Sequence, residues 1–113
     1  MPTRSSGSVK LFYPPYSRED LLAELRQGLQ SLRSELPVTR AVLFGSWATG
    51  RATAFSDVDL LVVYTGPSRE DAYTIVRRCL RLRGLEPHVY SEGEARQIEP
   101  VLNRMTARGV ELL

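Results

Sequence analysis

The 113-residue chain has little of what staples small proteins together. Its single cysteine, Cys79, excludes a disulfide framework or a thiolate metal centre within one chain. There is one histidine, His88. Lysine is almost missing: of fifteen basic residues only Lys10 is not arginine. Arginine offers a planar fork of donors suited to phosphate and carboxylate, although GC-rich codon usage or adaptation to heat is the simpler explanation of such a bias. No apolar run approaches the ~20 residues that span a bilayer, and the opening residues lack a signal-peptide core. No membrane contact and a cytoplasmic location are therefore expected. Excess charge is absent too. A net charge of +2, with both signs spread along the chain, describes an ordinary surface and not a nucleic-acid arm. Direct nucleic-acid binding is not expected. Repeats and low-complexity segments are lacking.

What is present suffices for one packed core, with hydrophobic residues at 42%. Residues 1–16, rich in Ser, Gly and Pro and without a period, read as a tail whose "KLFYPPY" end could dock aromatic side chains. Residues 17–113 read as the domain. Ser17 and Asp20 form a capping pair ahead of a helix carrying Leu21, Leu22, Leu25, Leu29, Leu32 and Leu36. Pro37 ends it, and Gly28 weakens its middle. "VTRAVLF", 38–44, is a strand, and "SWATGRA" after it forms a short helix. "DVDLLVVY", 57–64, is a second strand, apolar enough to be buried on both faces beyond its start. Ser68 and Asp71 cap a second long helix that Gly84 stops, with Cys79 on its inner face and Arg77 and Arg81 on a solvated one. "LEPHVY", 85–90, is a strand that Pro87 assigns to an edge or a bulge. Ser91 and Glu94 cap a third helix, interrupted at Pro100, and "VELL" closes the chain as a fourth strand. The fold class is α+β: a mixed, mostly antiparallel sheet with helices mainly on one face.

The chemistry concentrates in "FGSWATGRATAFSDVDLLVVY", Phe44 to Tyr64. Residues two apart in a strand point to the same side. Asp57 and Asp59 therefore aim together, and such like charges repel. A divalent cation relieves that conflict, and Mg²⁺ commonly takes one or two carboxylates plus substrate phosphates. Upstream, Gly45 allows a sharp turn after a strand and Ser46 opens a helix. Helix N-termini offer N–H groups to anions, and the Ser46 hydroxyl adds to them. Arg51, in the same motif, could reach a triphosphate. Trp47 either packs under the short helix or stacks on a partner. Ser56 caps the turn that aims Asp57.

Strand, Gly-Ser, ten residues, Asp-x-Asp, hydrophobic strand: this arrangement resembles the nucleotidyltransferase superfamily of DNA polymerase β. Its small size and "GSWATGRATAFSDVDLLVV" are similar to the minimal nucleotidyltransferases found in HEPN/MNT toxin–antitoxin pairs. The resemblance covers about residues 38–113 and is strongest in 43–63. It implies a nucleotidyltransferase-like fold, ATP as substrate with Mg²⁺ (or Mn²⁺), and a third carboxylate on a neighbouring strand. Glu86 is the matching residue, in place of the usual aspartate and directly before Pro87. His88 shares its face by spacing but stays outside the expected site. The implied catalytic and metal-binding set is Asp57, Asp59 and Glu86, and the implied triphosphate set is Gly45, Ser46 and Arg51.

Larger relatives add a helical domain that grips base and acceptor, and the chain stops at Leu113 without one. The resemblance then implies an antitoxin that transfers AMP to a tyrosine of a helical HEPN-domain toxin. Two further readings stay open. One is the catalytic subunit of a two-chain transferase acting on a small molecule. The other is an antitoxin that neutralises by contact, its site inert. A plain structural or metal-binding α/β domain is disfavoured by the joint motif. A homo-oligomer is compatible with all of these.

Overall fold

A computed structural model describes residues 16–113. The expectation of a tail over residues 1–16 lies outside the described residues except for Tyr16, whose ring stacks on Trp47 at 5.4 Å between centroids and 16° between planes.

Helix α1, Arg18–Arg33, starts with the capping box that its sequence signals. The Asp20 amide donates to Ser17 Oγ at 3.1 Å and the Ser17 amide donates back to Asp20 Oδ2 at 3.4 Å. Leu21, Leu25, Leu29 and Leu32 form its buried stripe. The helix stops well before Pro37. The Ser34 hydroxyl bonds the Ser31 carbonyl, and Leu36 is buried from the irregular segment beyond. Strand β1, Val38–Phe44, leads through Gly45 to the one-turn helix α2, Ser46–Thr49. Strand β2, Val58–Tyr64, follows, its residues after Asp59 all buried.

Helix α3, Ala72–Cys79, is shorter than the spacing predicts. Asp71 takes its N-cap position, where its carbonyl accepts from the Ile75 amide at 2.9 Å, but neither its side chain nor that of Ser68 bonds a helix amide. Ser68 donates to Glu94 Oε2 at 3.0 Å, and Asp71 is held by Arg69 in a paired bridge. Arg69's amide in turn donates to the buried Tyr64 hydroxyl. The helix ends at Leu80, which leaves the helical conformation and buries its side chain in the core. Gly84, at φ +78°, serves the turn into β3 instead of stopping the helix. Arg77 has a job that its outer position hides: its guanidinium donates to the Leu85 carbonyl at 2.9 Å, tying α3 to the next strand.

Strand β3, Leu85–Ser91, is an edge strand, as Pro87 indicates. A second capping box, Ser91 with Glu94, opens α4, Glu92–Gln97. The chain breaks at Ile98 and resumes as α5, Glu99–Met105, so Pro100 sits in a first helical turn, where its missing N–H does no harm. Strand β4 is only Val110–Glu111.

The four-stranded sheet runs β3-β2-β1-β4. β1 pairs antiparallel with both β2 and β4, and β2 pairs parallel with β3. The expectation of helices mainly on one face needs extension. Helices α1 and α3 cover the face carrying Ala41, Leu43, Leu60, Val62 and Tyr64. A second, smaller cluster of Val42, Leu61, Val63 and Leu102 places α4 and α5 against the other face. That second layer leaves the β2–β3 end of its face open, and the carboxylates stand there.

Candidate active site

Asp57 lies one residue ahead of β2 and Asp59 lies within it. Their setting is built by short polar links. The Thr53 amide donates to Ser56 Oγ at 2.8 Å and the Ser56 amide donates to the Thr53 carbonyl at 3.1 Å, closing the turn before Asp57. The Val58 amide donates to the Gly84 carbonyl at 2.8 Å, joining the starts of β2 and β3.

The parallel register pairs Asp59 with Glu86 and Leu61 with His88. Register partners on adjacent strands share a face. Glu86 therefore stands beside Asp59, and the charges of Glu86 and Asp57 both act on it. Burial is the largest influence raising the Asp59 pKa above the ordinary 3.8; His88 opposes it, and the charges of Asp57 and Glu86 add to the rise. His88 Nε2 lies 3.7 Å from Asp59 Oδ1. Its ring also tilts against Phe44, with centroids 5.2 Å apart. Phe44 is Asp59's partner on β1, so Asp59 sits between two strands that carry its neighbours.

Gly45 is required by this arrangement. Its φ is +78°, and a Cβ there would collide with Asp59 Oδ2. The carbonyl of Gly45 accepts from the Ala48 and Thr49 amides at 3.1 and 3.2 Å, starting α2. Among the described residues no hydrogen bond engages the Ser46 hydroxyl. Helix α2 has four residues, so its macrodipole is small and contributes less to anion binding than a full helix would. Trp47 is 4% exposed and packs under the helix, its buried Nε1 without a partner among the described residues.

Beside Gly45 and Ser46 opens a cavity of about 460 Å³. Arg51 lines it, as do Arg104 and Arg108 from α5 and the turn after it. Sequence reasoning named Arg51 and passed over the other two. It also left out His88, whose two-residue spacing from Glu86 was the available signal.

No metal need be bound for the donor set to be judged. Three carboxylates offer hard oxygen ligands of the kind Mg²⁺ takes, and mutual repulsion favours a cation among them. Among the described residues no group of three His, Cys, Asp or Glu side chains converges as a ready cage. That suits a cation that takes part of its shell from substrate phosphates and water. The residues fit the group.

The model of a family described as "Nucleotidyltransferase domain" matches residues 22–110. Among solved structures, a protein of Sulfolobus solfataricus, provisionally assigned as a nucleotidyltransferase, superposes with a TM-score of 0.57 at 23% identity. The match covers 86% of this chain and 84% of that one, and shows a shared fold. A chain of the CdnC:HORMA-deltaN complex of E. coli MS115-1 is 20% identical, with a TM-score of 0.44, over 75% of this chain and 39% of the other. No curated protein matches the sequence. With a family match over most of its length, and the fold to go with it, the chain belongs to the nucleotidyltransferase domain family and is a nucleotidyltransferase.

Proposed function

We propose that the protein transfers AMP from ATP to a hydroxyl, that of a tyrosine on a helical HEPN-domain toxin, and acts as its antitoxin. The observation that carries the transfer is the register pairing Asp59 with Glu86, next to Asp57 and across Gly45 from a basic cavity. The acceptor and the partner rest on the sequence resemblance alone.

Asp57 and Asp59 would hold a divalent cation, with Glu86 sharing a second. When bound, the cations supply neutralisation of the charge building on the phosphoryl group and a lowered pKa for the attacking hydroxyl. Gly45, lacking a side chain, lets a phosphate approach the backbone beside Asp59. Ser46 would donate its unengaged hydroxyl to a phosphate oxygen, and Arg51 would add a guanidinium. His88, with Nε2 3.7 Å from Asp59 Oδ1, opposes the rise in that carboxyl's pKa and so favours its charged form. The hydroxyl oxygen gives up its proton to solvent and bonds to the α-phosphorus as the bond to the α–β bridging oxygen breaks, and pyrophosphate leaves with the electron pair.

The test is transfer of α-labelled AMP to a tyrosine-bearing HEPN-domain protein. Label should appear on the partner with the wild type and vanish with Asp57→Asn plus Asp59→Asn. Glu86→Gln should leave Mg–ATP binding nearly intact and slow transfer by at least ~10²-fold, the usual scale for losing a metal-activating group. Equal rates in wild type and Glu86→Gln would make Glu86 an ordinary edge residue. A second reading is neutralisation by contact. It predicts a partner silenced on binding with no label transferred by any variant. Label on a small hydroxyl compound, and only when a helical partner is present, would point to a two-chain transferase.

A further inference from the structure

Four of the cavities on the described surface differ in charge. The one between the sheet and α4–α5 mixes Arg40 and Arg96 with Glu92 and Glu99. The one under the Thr53–Ser56 turn opposes Arg83 to Asp57. The groove between α1 and α3 sets Arg81 against Glu24. The cavity beside Ser46 is the largest of the four and has three arginines and no acid in its lining.

Those three arginines are also unpaired among the described residues. The ion pairs among the described residues use Arg40, Arg69, Arg78 and His88. None engages Arg51, Arg104 or Arg108. Three like charges around one concavity repel, and a polyanion would relieve them.

The chain takes some trouble to bring them together. Arg104 and Arg108 lie more than fifty residues beyond Arg51, and only the return of the C-terminus joins the two segments. β4 pairs with β1 at Leu43 and Val110, and the Leu112 amide donates to the Ala41 carbonyl at 2.8 Å. The turn between α5 and β4 is closed by Thr106, whose hydroxyl bonds the Leu102 carbonyl at 2.8 Å, and by the Gly109 amide on the Thr106 carbonyl at 2.9 Å. Gly109 packs so closely on β1 that a Cβ would meet Val42 Cγ1 at 2.5 Å. Arg108 is thereby delivered next to Gly45 and Ser46.

From this we infer that Arg104 and Arg108, with Arg51, form a clamp for the β- and γ-phosphates, selecting nucleoside triphosphates over mono- and diphosphates and holding the pyrophosphate that leaves. The inference rests on the nucleotidyl-transfer reading for its direction. Gly45 is the shared wall: Asp59 lies against one side of it and the arginine cavity opens on another. A triphosphate spanning Gly45 would put its α-phosphate at the carboxylates and its outer phosphates among the guanidiniums. Helix α2 is too short to do this work, so side-chain charge supplies it. Arginine's planar fork takes two phosphate oxygens by parallel bonds, where a lysine acts as a point charge.

The test uses inorganic tripolyphosphate in EDTA, so that neither metal nor catalysis enters. Calorimetry should show binding to the wild type. Arg104→Gln plus Arg108→Gln should weaken it roughly 100-fold, about tenfold per charge-assisted contact. Arg108→Gln alone should give an intermediate loss, and serves if the double variant melts early. Arg96→Gln, in the mixed-charge cavity, removes the same charge elsewhere and should change nothing. With nucleotides, the wild-type preference for ATP over ADP and AMP should flatten in the double variant. Wild-type tripolyphosphate affinity in the double variant overturns the clamp, even if AMP transfer is observed. A single-stranded RNA bound as tightly as tripolyphosphate, through the same arginines, also overturns it. Arginine-dependent tripolyphosphate binding with no AMP transfer to any acceptor leaves the clamp standing and sinks the transfer reading instead.

Discussion

Asp59 is held against its own preference. It is half-buried, beside two other carboxylates, and only His88 offsets them. The sign of the consequence follows from its raised pKa. Below the ordinary value of 3.8 the side chain is neutral in both folded and unfolded chains, and it costs nothing. As pH rises through the higher folded value, the folded protein must ionise it in an unfavourable place, and stability is lost. In EDTA, Asp59→Asn should therefore melt above the wild type near neutral pH. The gap should close as pH falls through the raised pKa toward 3.8. A melting curve for Asp59→Asn that lies below the wild type near neutral pH would mean that the His88 contact outweighs burial. Mg–ATP should reverse the order, because the variant has lost a ligand for the cation. Ser46 is a simpler case. Its hydroxyl has no partner among the described residues, so Ser46→Ala should leave the melting temperature alone. Triphosphate affinity should drop by about 1–2 kcal/mol, the scale of one hydrogen bond to a charged group. A collapse in melting temperature would make Ser46 a structural cap.

Among the elements, local signals were legible where one short segment decides the outcome. The boxes at Ser17 and Ser91 were readable because four consecutive residues suffice to make them. Strand β1 keeps its predicted bounds for a similar reason, with Pro37 before it and Gly45 after. Helix α3 was misread because its end is set by Leu80 reaching the core, a tertiary event without a local marker. Gly28 has a packing role that is hidden in the same way. On sequence alone it is a weak point in α1, yet a Cβ there would run into the Leu80 side chain and stand 3.3 Å from the Cys79 carbonyl. It marks where α1 crosses the end of α3. Alanine would gain up to ~1 kcal/mol in helix propensity, but overpacking a buried contact costs about 1–3 kcal/mol. We expect Gly28→Ala to destabilise the fold by about 1–2 kcal/mol in urea titrations. Net stabilisation would show that Leu80 can turn aside without loss.

For the molecule as a whole, the candidate site was legible in its linear parts and hidden in its assembled ones. Asp57 and Asp59 are close because only Val58 separates them, near enough for one charge to act on the other, and Gly45-Ser46 stands beside them because β1 and β2 are neighbours in sequence. The adjacency of Glu86 depends on the parallel register after the α3 crossover, and no short-range pattern sets that. Arg104 and Arg108 depend on still more, the docking of a two-residue strand on the far side of β1. That docking suggests a way to separate the basic cavity from the carboxylates. Gly109 carries the close approach: an added Cβ would lie 2.5 Å from Val42 Cγ1, 3.0 Å from the Leu43 carbonyl oxygen and 3.1 Å from that of Thr106. Two of these are backbone atoms, which cannot step aside as a side-chain tip can. Gly109→Ala should therefore push β4 off β1, at about 1–3 kcal/mol. The core under α1 and α3 holds the sheet from its other face and should survive. Hydrogen exchange should then quicken at Leu112, whose amide bonds Ala41, while Leu60 and Val62 in β2 stay protected. Triphosphate affinity should fall with the loosened strand, since Arg108 is one residue from the substitution, and the Asp59–Glu86 pairing should remain. Faster exchange at Leu112 with unchanged ATP affinity would show that the arginines reach the cavity without help from β4.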